Sequence, residues 1–517
     1  MQTEIYLDTN ATSPVLPAAA AAAMAAMQDG FGNPSSSHTA GLRARALRES
    51  VRASARRVIG AGEGSVIFNS GATEGIQTAV LSSLCALRER RARGDACGDV
   101  ILIGATEHKA VPESLAHWNR LLGTGLELRM LPVDGDGRHR LDVLRELAPR
   151  VALLCTMAAN NETGVVSDLD GIERVLNETG SAALWMVDCV QALGKLALDL
   201  GARRIDYAPF SGHKLYAPKG IGMLYVRRGA PYTPLMCGGG QEQGQRSGTE
   251  NMAGIAALGA VLTALERGDT FRDAAALLAC RARLVAALAL ALPGIVFNAP
   301  LAQTLPTTLN FSVPDVTSAT LLELFDAAGL RVSAGSACSA AHAAPSYVLD
   351  AMGVPAWRSA AAVRLSFGAL LDDAALDLAC ARIARCGAAL VAPMPMPSPA
   401  GGEPAPGDGA VDAAMLIDAA AARDWLAAHP DAIVIDVRDS REHGVAGGAD
   451  QVRLHGRAVQ NVPLARFAEQ APQWLGAAAP LLFVCRSGAR SARAAQALRA
   501  MGHPGAWSLV GGFALAA

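Results

Sequence analysis

An α/β fold is predicted for this chain, built as two unequal parts. Three observations predict it. Short apolar runs alternate with amphipathic stretches through the first part, the pattern of strands joined by helices into a mainly parallel sheet. Polar residues gather directly after those runs, where open α/β sheets bind their ligands. A proline- and glycine-rich stretch then interrupts the pattern, which starts again on a smaller scale.

The elements follow in order. The alanine run Ala18 to Ala26 is too short and too weakly apolar to span a bilayer, and reads as a helix packed by small side chains. Val66–Phe68, Val100–Ile103, Val151–Leu154 and Leu184–Val187 read as buried strands, and Thr73 to Arg93 as a helix between two of them. From about Phe271 the chain reads as a second, smaller α+β domain. Residues 391–410 contain six prolines and four glycines. No helix or central strand tolerates that, so 391–412 is assigned as a stiff, extended tether. It separates 1–390 from 413–517. Within the first part, a large domain of about 15–265 and a small one of about 1–14 and 266–390 are expected. In the second part Ala432–Ile435 and Leu481–Val484 read as strands, and Ser491 to Met501 as a helix.

Composition narrows the classes. At 517 residues the chain is too long for one core. A net charge of −2 gives no footprint for direct nucleic-acid binding. The ten cysteines are scattered, with no C-x-x-C pair and no zinc-like spacing, so a reducing cytoplasm, no disulfide framework and no metal are expected. The first ten residues carry Glu4 and Asp8 and lack a basic stretch, which argues against a signal peptide.

The chemistry centres on Lys214, in Ser211-Gly-His-Lys214, about 25 residues after Asp188. A lysine amine to bind an aldehyde, and a carboxylate to keep a pyridine nitrogen protonated, are what a pyridoxal-phosphate enzyme needs. Ser70-Gly-Ala-Thr73 joins a strand to a helix, and such a turn gathers free N–H groups and a positive dipole end for a phosphate. Alone it also reads as an ordinary turn with a threonine cap. His108 follows Val100–Ile103 and is placed to stack on a planar ring, although a lone loop histidine is often structural. Asn161, Asp188 and Gln191 follow the next two strands.

These residues stand in motifs that resemble the cysteine desulfurases, pyridoxal-phosphate enzymes of the class-V aminotransferase type with fold type I. The motifs are Gly32-Asn-Pro-Ser35, Ser70-Gly-Ala-Thr-Glu74, Thr106-Glu-His-Lys109, Asn160-Asn-Glu-Thr-Gly164, Asp188-x-x-Gln191, Ser211-Gly-His-Lys214, Arg246-Ser-Gly-Thr249 and Gly335-Ser-Ala-Cys338. They run from Tyr6-Leu-Asp to Arg364-Leu-Ser-Phe-Gly368, essentially the whole first part. The resemblance implies that Lys214 binds the aldehyde and Asp188 the pyridine nitrogen. It gives Gln191 the ring hydroxyl, and His108 ring stacking and proton transfer. Ala72, Thr73, Ser211 and His213 would bind the phosphate, with Thr249 reaching that of the other subunit of a homodimer. Asn161 and Arg364 would hold the substrate carboxylate. Cys338 would take sulfur from L-cysteine as a persulfide, leaving alanine. Its surroundings, Ala334 to Pro345, are small residues without large apolar anchors, which reads as a mobile loop. The long loop resembles the branch serving iron–sulfur cluster assembly and tRNA thiolation. Cys237 has no assigned role, and Cys189 reads as structural.

Residues 413–517 resemble a single rhodanese domain, a small α/β unit. The matching features are Ile435-Asp-Val-Arg438 with Glu442, His455 to Pro463, Cys485-Arg-Ser-Gly-Ala-Arg490 and Leu509-Val-Gly-Gly-Phe513; Ala458 stands where the family usually has glycine. Independently of that name, Cys485 ends a strand and precedes a helix. Loop N–H groups, the helix dipole, Arg486 and Arg490 are expected to stabilise a thiolate or persulfide there. The C-x4-R spacing favours sulfur over phosphate, since phosphatases need the roomier C-x5-R.

The reading that follows is a desulfurase relaying persulfide from Cys338 to Cys485, and on to a sulfur-acceptor protein for iron–sulfur assembly or tRNA or cofactor thiolation. Two alternatives stand beside it. The rhodanese part could be only a docking module, or the first part could run another pyridoxal-phosphate reaction, such as transamination, β-lyase action or selenocysteine lysis.

Overall fold

The computed structural model describes residues 4–334, 346–391, 412–447 and 451–516. Cys338 with its loop, and residues 392–411 of the tether, lie outside the described residues.

A seven-stranded sheet forms the centre of the first part. Its strand order is Ser65–Asn69, Gly222–Val226, Tyr207–Ser211, Leu184–Asp188, Val151–Met157, Val100–Gly104, Glu127–Leu131. Only Gly222–Val226 runs antiparallel to its neighbours. The apolar runs are continuous because both faces are covered. Val66, Phe68, Trp185 and Val187 pack into one core, and Ile67, Leu184 and Met186 into the other. Each buried leucine or isoleucine contributes about 1.5–3 kcal/mol. Trp185 is fully buried and donates its indole N–H to Thr156 Oγ1 at 2.9 Å, so its one polar atom is satisfied. The alanine run lies in the helix Pro17–Gln28, whose Ala19 and Ala26 are buried as it packs against Met252–Arg267. Small side chains permit that close approach.

A second, smaller unit follows. Ser333–Ala334, Val363–Ser366, Thr308–Ser312 and Val296–Phe297 form an antiparallel sheet. The N-terminal strand Ile5–Tyr6 pairs in parallel with Leu330–Arg331 as a separate two-stranded sheet of the same unit. Its core gathers Ile5 and Leu7 with Leu284, Leu288, Phe311, Phe325 and Ile383. The helix Ala274–Ala291 is long and apolar enough to cross a membrane by length and composition. Here Leu277, Cys280, Leu284 and Leu288 pack into this core, as in a helix of a globular domain.

The C-terminal part has its own sheet, ordered Leu416–Ile417, Ala506–Leu509, Leu481–Val484, Ile433–Asp436, Arg457–Asn461, Arg453–Leu454, parallel except for the last pair. It does not stand free. Its helix Ser440–Gly447 packs on the helices Ser318–Ala327 and Asp373–Val391, and Val445 enters the core of the small unit.

Candidate active site

Five strands of the large sheet end at one place. Their carboxyl ends deliver Ser70 and Thr73, His108, Asn161, Asp188, and Ser211 with Lys214 to one cavity of about 540 Å³. Arg364 and Tyr347 from the small unit close it. Ala72, Gln191 and His213 line it too. Thr249, expected at the phosphate of the other subunit and not at its own, is exposed and outside this lining.

Local geometry explains the placements. The helix Ala72–Ala92 begins at Gly71 with no side chain capping it. Gly71 has φ 152°, a region closed to most residues, and the nearest atom to a Cβ there would be Ser211 Oγ at 3.9 Å. The first N–H groups of that helix and the Ser211 hydroxyl therefore border one space. Gly222 lets the backbones meet behind it: a Cβ would lie 2.6 Å from Gly71 Cα.

Lys214 Nζ donates to the carbonyls of Asn10 and Ala11, each at 2.7 Å. Burial pushes the Asp188 carboxyl up, while the Val190 N–H at 2.9 Å, His108 and Lys214 pull it back. Burial pushes His108 down, so its ring is neutral at pH 7. Its Nδ1 accepts from the Ala110 N–H at 3.2 Å, which leaves the proton on Nε2. Burial, with Lys214 and Lys219, lowers His213 to about 4; its Nδ1 sits 3.1 Å from Thr12 Oγ1.

Arg364 is 1% exposed. It donates Nη2 to Asp8 at 2.6 Å and Nη1 to the Asn161 carbonyl at 3.0 Å. Its Nε and the Asn161 Oδ1 are buried with no partner. One is a donor and the other an acceptor, and both residues line the cavity, so a polar group fits there.

Several residues here were not singled out from sequence. Asn10 joins the site through its carbonyl, which accepts from Gln191 Nε2 at 3.1 Å as well as from Lys214. Lys195 Nζ contacts Gln191 Oε1 at 2.6 Å and Asn10 Oδ1 at 3.1 Å. Glu162 accepts from Ser346 Oγ at 2.5 Å, and burial raises it to about 7. Glu162 stood inside a quoted motif and Asn10 two residues beyond one, but Lys195 had no signal beyond following Gln191 by four residues.

Cys485 is a separate site. Its sulfur accepts from the N–H of Gly488 at 3.2 Å and of Ser491 at 3.4 Å, with Ser491 Oγ at 3.5 Å. Gly488, with φ 93°, turns the loop into the helix Ala489–Ala500. The arginines expected to serve the sulfur are engaged by carboxylates. Arg490 forms a bidentate pair with Glu442, at 2.7 and 3.0 Å, and lies 3.5 Å from Glu323 of the small unit. Arg486 donates to Asp326, also of the small unit, at 2.9 Å. Cys485 itself is 1% exposed. Cys189 is fully buried, and Cys237 is exposed.

The family model for class-V aminotransferases matches residues 5–378, and that for rhodanese-like domains residues 418–515. Curated relatives include a cysteine desulfurase of Gluconacetobacter diazotrophicus, 37% identical over 72% of this chain and 90% of the relative. One of Cereibacter sphaeroides is 37% identical over 72% of this chain and 93% of the relative. Among solved structures, a NifS-like protein is 30% identical with a TM-score of 0.65, covering 74% of this chain and 98% of its own. A structure described as SspA in complex with cysteine is 26% identical with a TM-score of 0.58, covering 71% and 99%.

Members of this family depend on pyridoxal phosphate, and the residues present fit it. A buried carboxylate, a lysine amine, a neutral histidine and an uncapped helix start surround one cavity, and the orphaned Arg364 Nε and Asn161 Oδ1 remain for a polar group.

Proposed function

The chain belongs to the class-V aminotransferase family as a cysteine desulfurase with a C-terminal rhodanese-like domain, and on that premise we propose that its two parts, 1–390 and 413–517, form one sulfur relay. Arg364 and Asn161 hold the carboxylate of L-cysteine. The structure described with cysteine bound to a related protein supports that substrate. Asp188 holds a proton on the pyridine nitrogen, and the helix start at Ala72 with Thr73, Ser211 and His213 anchors the phosphate. Bound pyridoxal phosphate supplies a ring that accepts electrons from the substrate. Lys214 Nζ would remove the Cα proton, and His108, neutral with its proton on Nε2, would move protons at the same site. The Cys338 thiolate attacks the substrate sulfur. An S–S bond forms, the Cβ–S bond breaks with its electron pair left on carbon, and protonation gives alanine. The Cys485 thiolate then attacks the outer sulfur, releasing Cys338 as thiolate. A sulfur-acceptor protein, of iron–sulfur assembly or of tRNA or cofactor thiolation, takes the sulfur from Cys485.

One observation carries the relay: two backbone N–H groups aimed at the Cys485 sulfur. Such a nest stabilises an anion on sulfur without a side-chain base. A homodimer is part of the proposal. Thr249 is exposed rather than turned into its own cavity, and Met24, Met27, Phe31 and Leu42 leave apolar surface near the N-terminus. We place the protein in a reducing cytoplasm, supported by nine cysteines that are all free among the described residues.

A second reading rests on the engaged arginines and the burial of Cys485: the C-terminal part docks an acceptor and carries no sulfur. Persulfide mapping by mass spectrometry after L-cysteine decides between them. The relay expects label on Cys338 first and Cys485 second. Label on Cys338 alone, with an acceptor protein still loaded, would favour docking.

A further inference from the structure

Lys195 is a charged group for which the reaction above has no use. Lys195 is half-buried as a residue, and its nitrogen bonds the buried side chains of Asn10 and Gln191. Its hydrogen-bond partners are both neutral amide oxygens, Gln191 Oε1 at 2.6 Å and Asn10 Oδ1 at 3.1 Å. The two charged groups that act on it, Lys214 and Arg364, carry the same sign. An ammonium held this way costs stability that an apolar side chain would not. The cost has a local return. Gln191 Oε1 is taken by Lys195, so its Nε2 is the end left for donation, and it already donates to the Asn10 carbonyl. That same carbonyl accepts from Lys214 Nζ. Lys195, Gln191, Asn10 and Lys214 thus form one continuous chain of hydrogen bonds. Lys195 and Lys214 also border one small void with Tyr216 and Phe367.

We propose that Lys195 is a positioning residue of the desulfurase site: it fixes the Gln191 amide so that N–H faces the cofactor, and its charge lowers the proton affinity of the Lys214 nitrogen. The first effect is geometric, since an amide without an anchored oxygen can turn over. The second is Coulombic and reciprocal, because each ammonium disfavours protonation of the other. Burial with Lys214 and Arg364 already brings Lys195 down to about 7, so its charge acts on Lys214 below that pH and fades as pH rises through it. The other titratable groups that interact with Lys214 are Asp188, His108 and His213, the last also facing Lys219, and Arg364 is itself paired with Asp8.

The inference rests on Lys214 as the cofactor lysine, so the test begins there. Lys214→Ala must abolish the visible band of bound pyridoxal phosphate; if it does not, the site assignment fails and not this inference alone. In otherwise unaltered holoenzyme, Lys195→Met and Lys195→Gln are titrated spectroscopically. The midpoint of the pH-dependent change in that band should rise by about one unit in both, with kcat lower and KM for L-cysteine within about twofold. Lys195→Arg should restore the midpoint, because it restores the charge. Two neutral variants guard against one that misfolds, and cofactor content checks each. An unchanged midpoint in a folded neutral variant, or a rise that arginine does not reverse, overturns the proposal.

Discussion

The two sulfur sites are built on opposite principles. The desulfurase cavity draws on residues from Asn10 to Arg364 and on two domains, and its chemistry lies in side chains: an amine, a buried carboxylate, an imidazole, a guanidinium. The Cys485 site spans Cys485 to Ser491, and what touches the sulfur is mostly backbone N–H. The first must abstract a proton and hold a cofactor, which only functional side chains can do. The second, in the relay proposed above, would only keep sulfur anionic and let it leave, and a turn feeding a helix suffices. Side-chain deletions should therefore cripple the first site, and backbone perturbations the second.

The largest effect tests the first half of that contrast. Lys214→Ala should reduce alanine production by roughly a thousandfold or more, while transfer from thiosulfate to cyanide through Cys485 stays at the parental level. Assaying both reactions on one preparation checks it. A parallel loss of both would mean that the two sites are not independent.

Next comes the backbone of the second site. Gly512 packs on the loop with φ 53°, and a Cβ there would lie 2.0 Å from the Cys485 carbonyl oxygen. The Phe513 N–H donates to that oxygen at 2.8 Å. No side chain can move aside to relieve a clash with backbone. Gly512→Ala should destabilise the C-terminal part by about 3 kcal/mol and abolish transfer through Cys485, with desulfurase turnover retained. Calorimetry with both assays reads this out. Full rhodanese activity in that variant would break the comparison.

What the sequence made legible follows the same division. Asp188 and Lys214 could be placed because continuous apolar runs such as Leu184–Val187 forecast strands buried on both faces, and ligands gather at their ends. The Cys485 loop was legible because it is local. Side-chain partnerships across distant segments were not. Of the amide partners of Lys195, Gln191 lies four residues before it but Asn10 is 185 residues away, and the pairing depends on the tertiary approach of the N-terminal segment. Arg486 and Arg490 read as sulfur ligands because nothing local shows that Asp326, Glu323 and Glu442 reach them first. Val445 likewise gave no sign that it would pack into another domain's core.

A smaller effect, in pH, belongs to the side-chain site alone. Burial raises Glu162 to about 7 from its ordinary 4.5, against the Ser346 hydroxyl and the positive Arg364 and Lys109. A raised carboxyl means that the folded state holds a proton that the unfolded state releases between those values. The penalty is therefore fully present above pH 7, and stability is gained as pH falls from 7 toward 4.5. The gain is roughly 3 kcal/mol at most. Glu162→Gln should flatten the difference in Tm between pH 5 and pH 8 for the desulfurase transition and leave the rhodanese transition unchanged. An identical pH dependence in parent and variant would show that Glu162 is not the group responsible.

The smallest effect concerns the seam between the two sites. Asp326 meets Arg486 at 2.9 Å, with the side chains 24% and 41% exposed. Half-exposed pairs of this kind contribute only about 0.2–1 kcal/mol, so removing one changes the ratio of docked to undocked C-terminal part by about fivefold at most. That is small for stability but sufficient for control, because the carboxylates of the Ser318–Ala327 helix lie on the arginines beside the sulfur. An acceptor approaching Cys485 must compete with them. The double variant Glu323→Gln, Asp326→Asn should speed transfer from Cys485 to an external acceptor severalfold at low salt. Added salt should raise the parent rate toward that of the variant, since screening weakens the same contacts. Alanine production should not move, because neither residue lines the desulfurase cavity. Transfer rates against ionic strength for both proteins provide the measurement. If the two curves superimpose, the seam does not limit access to Cys485, and the contrast between the sites lies wholly within each one.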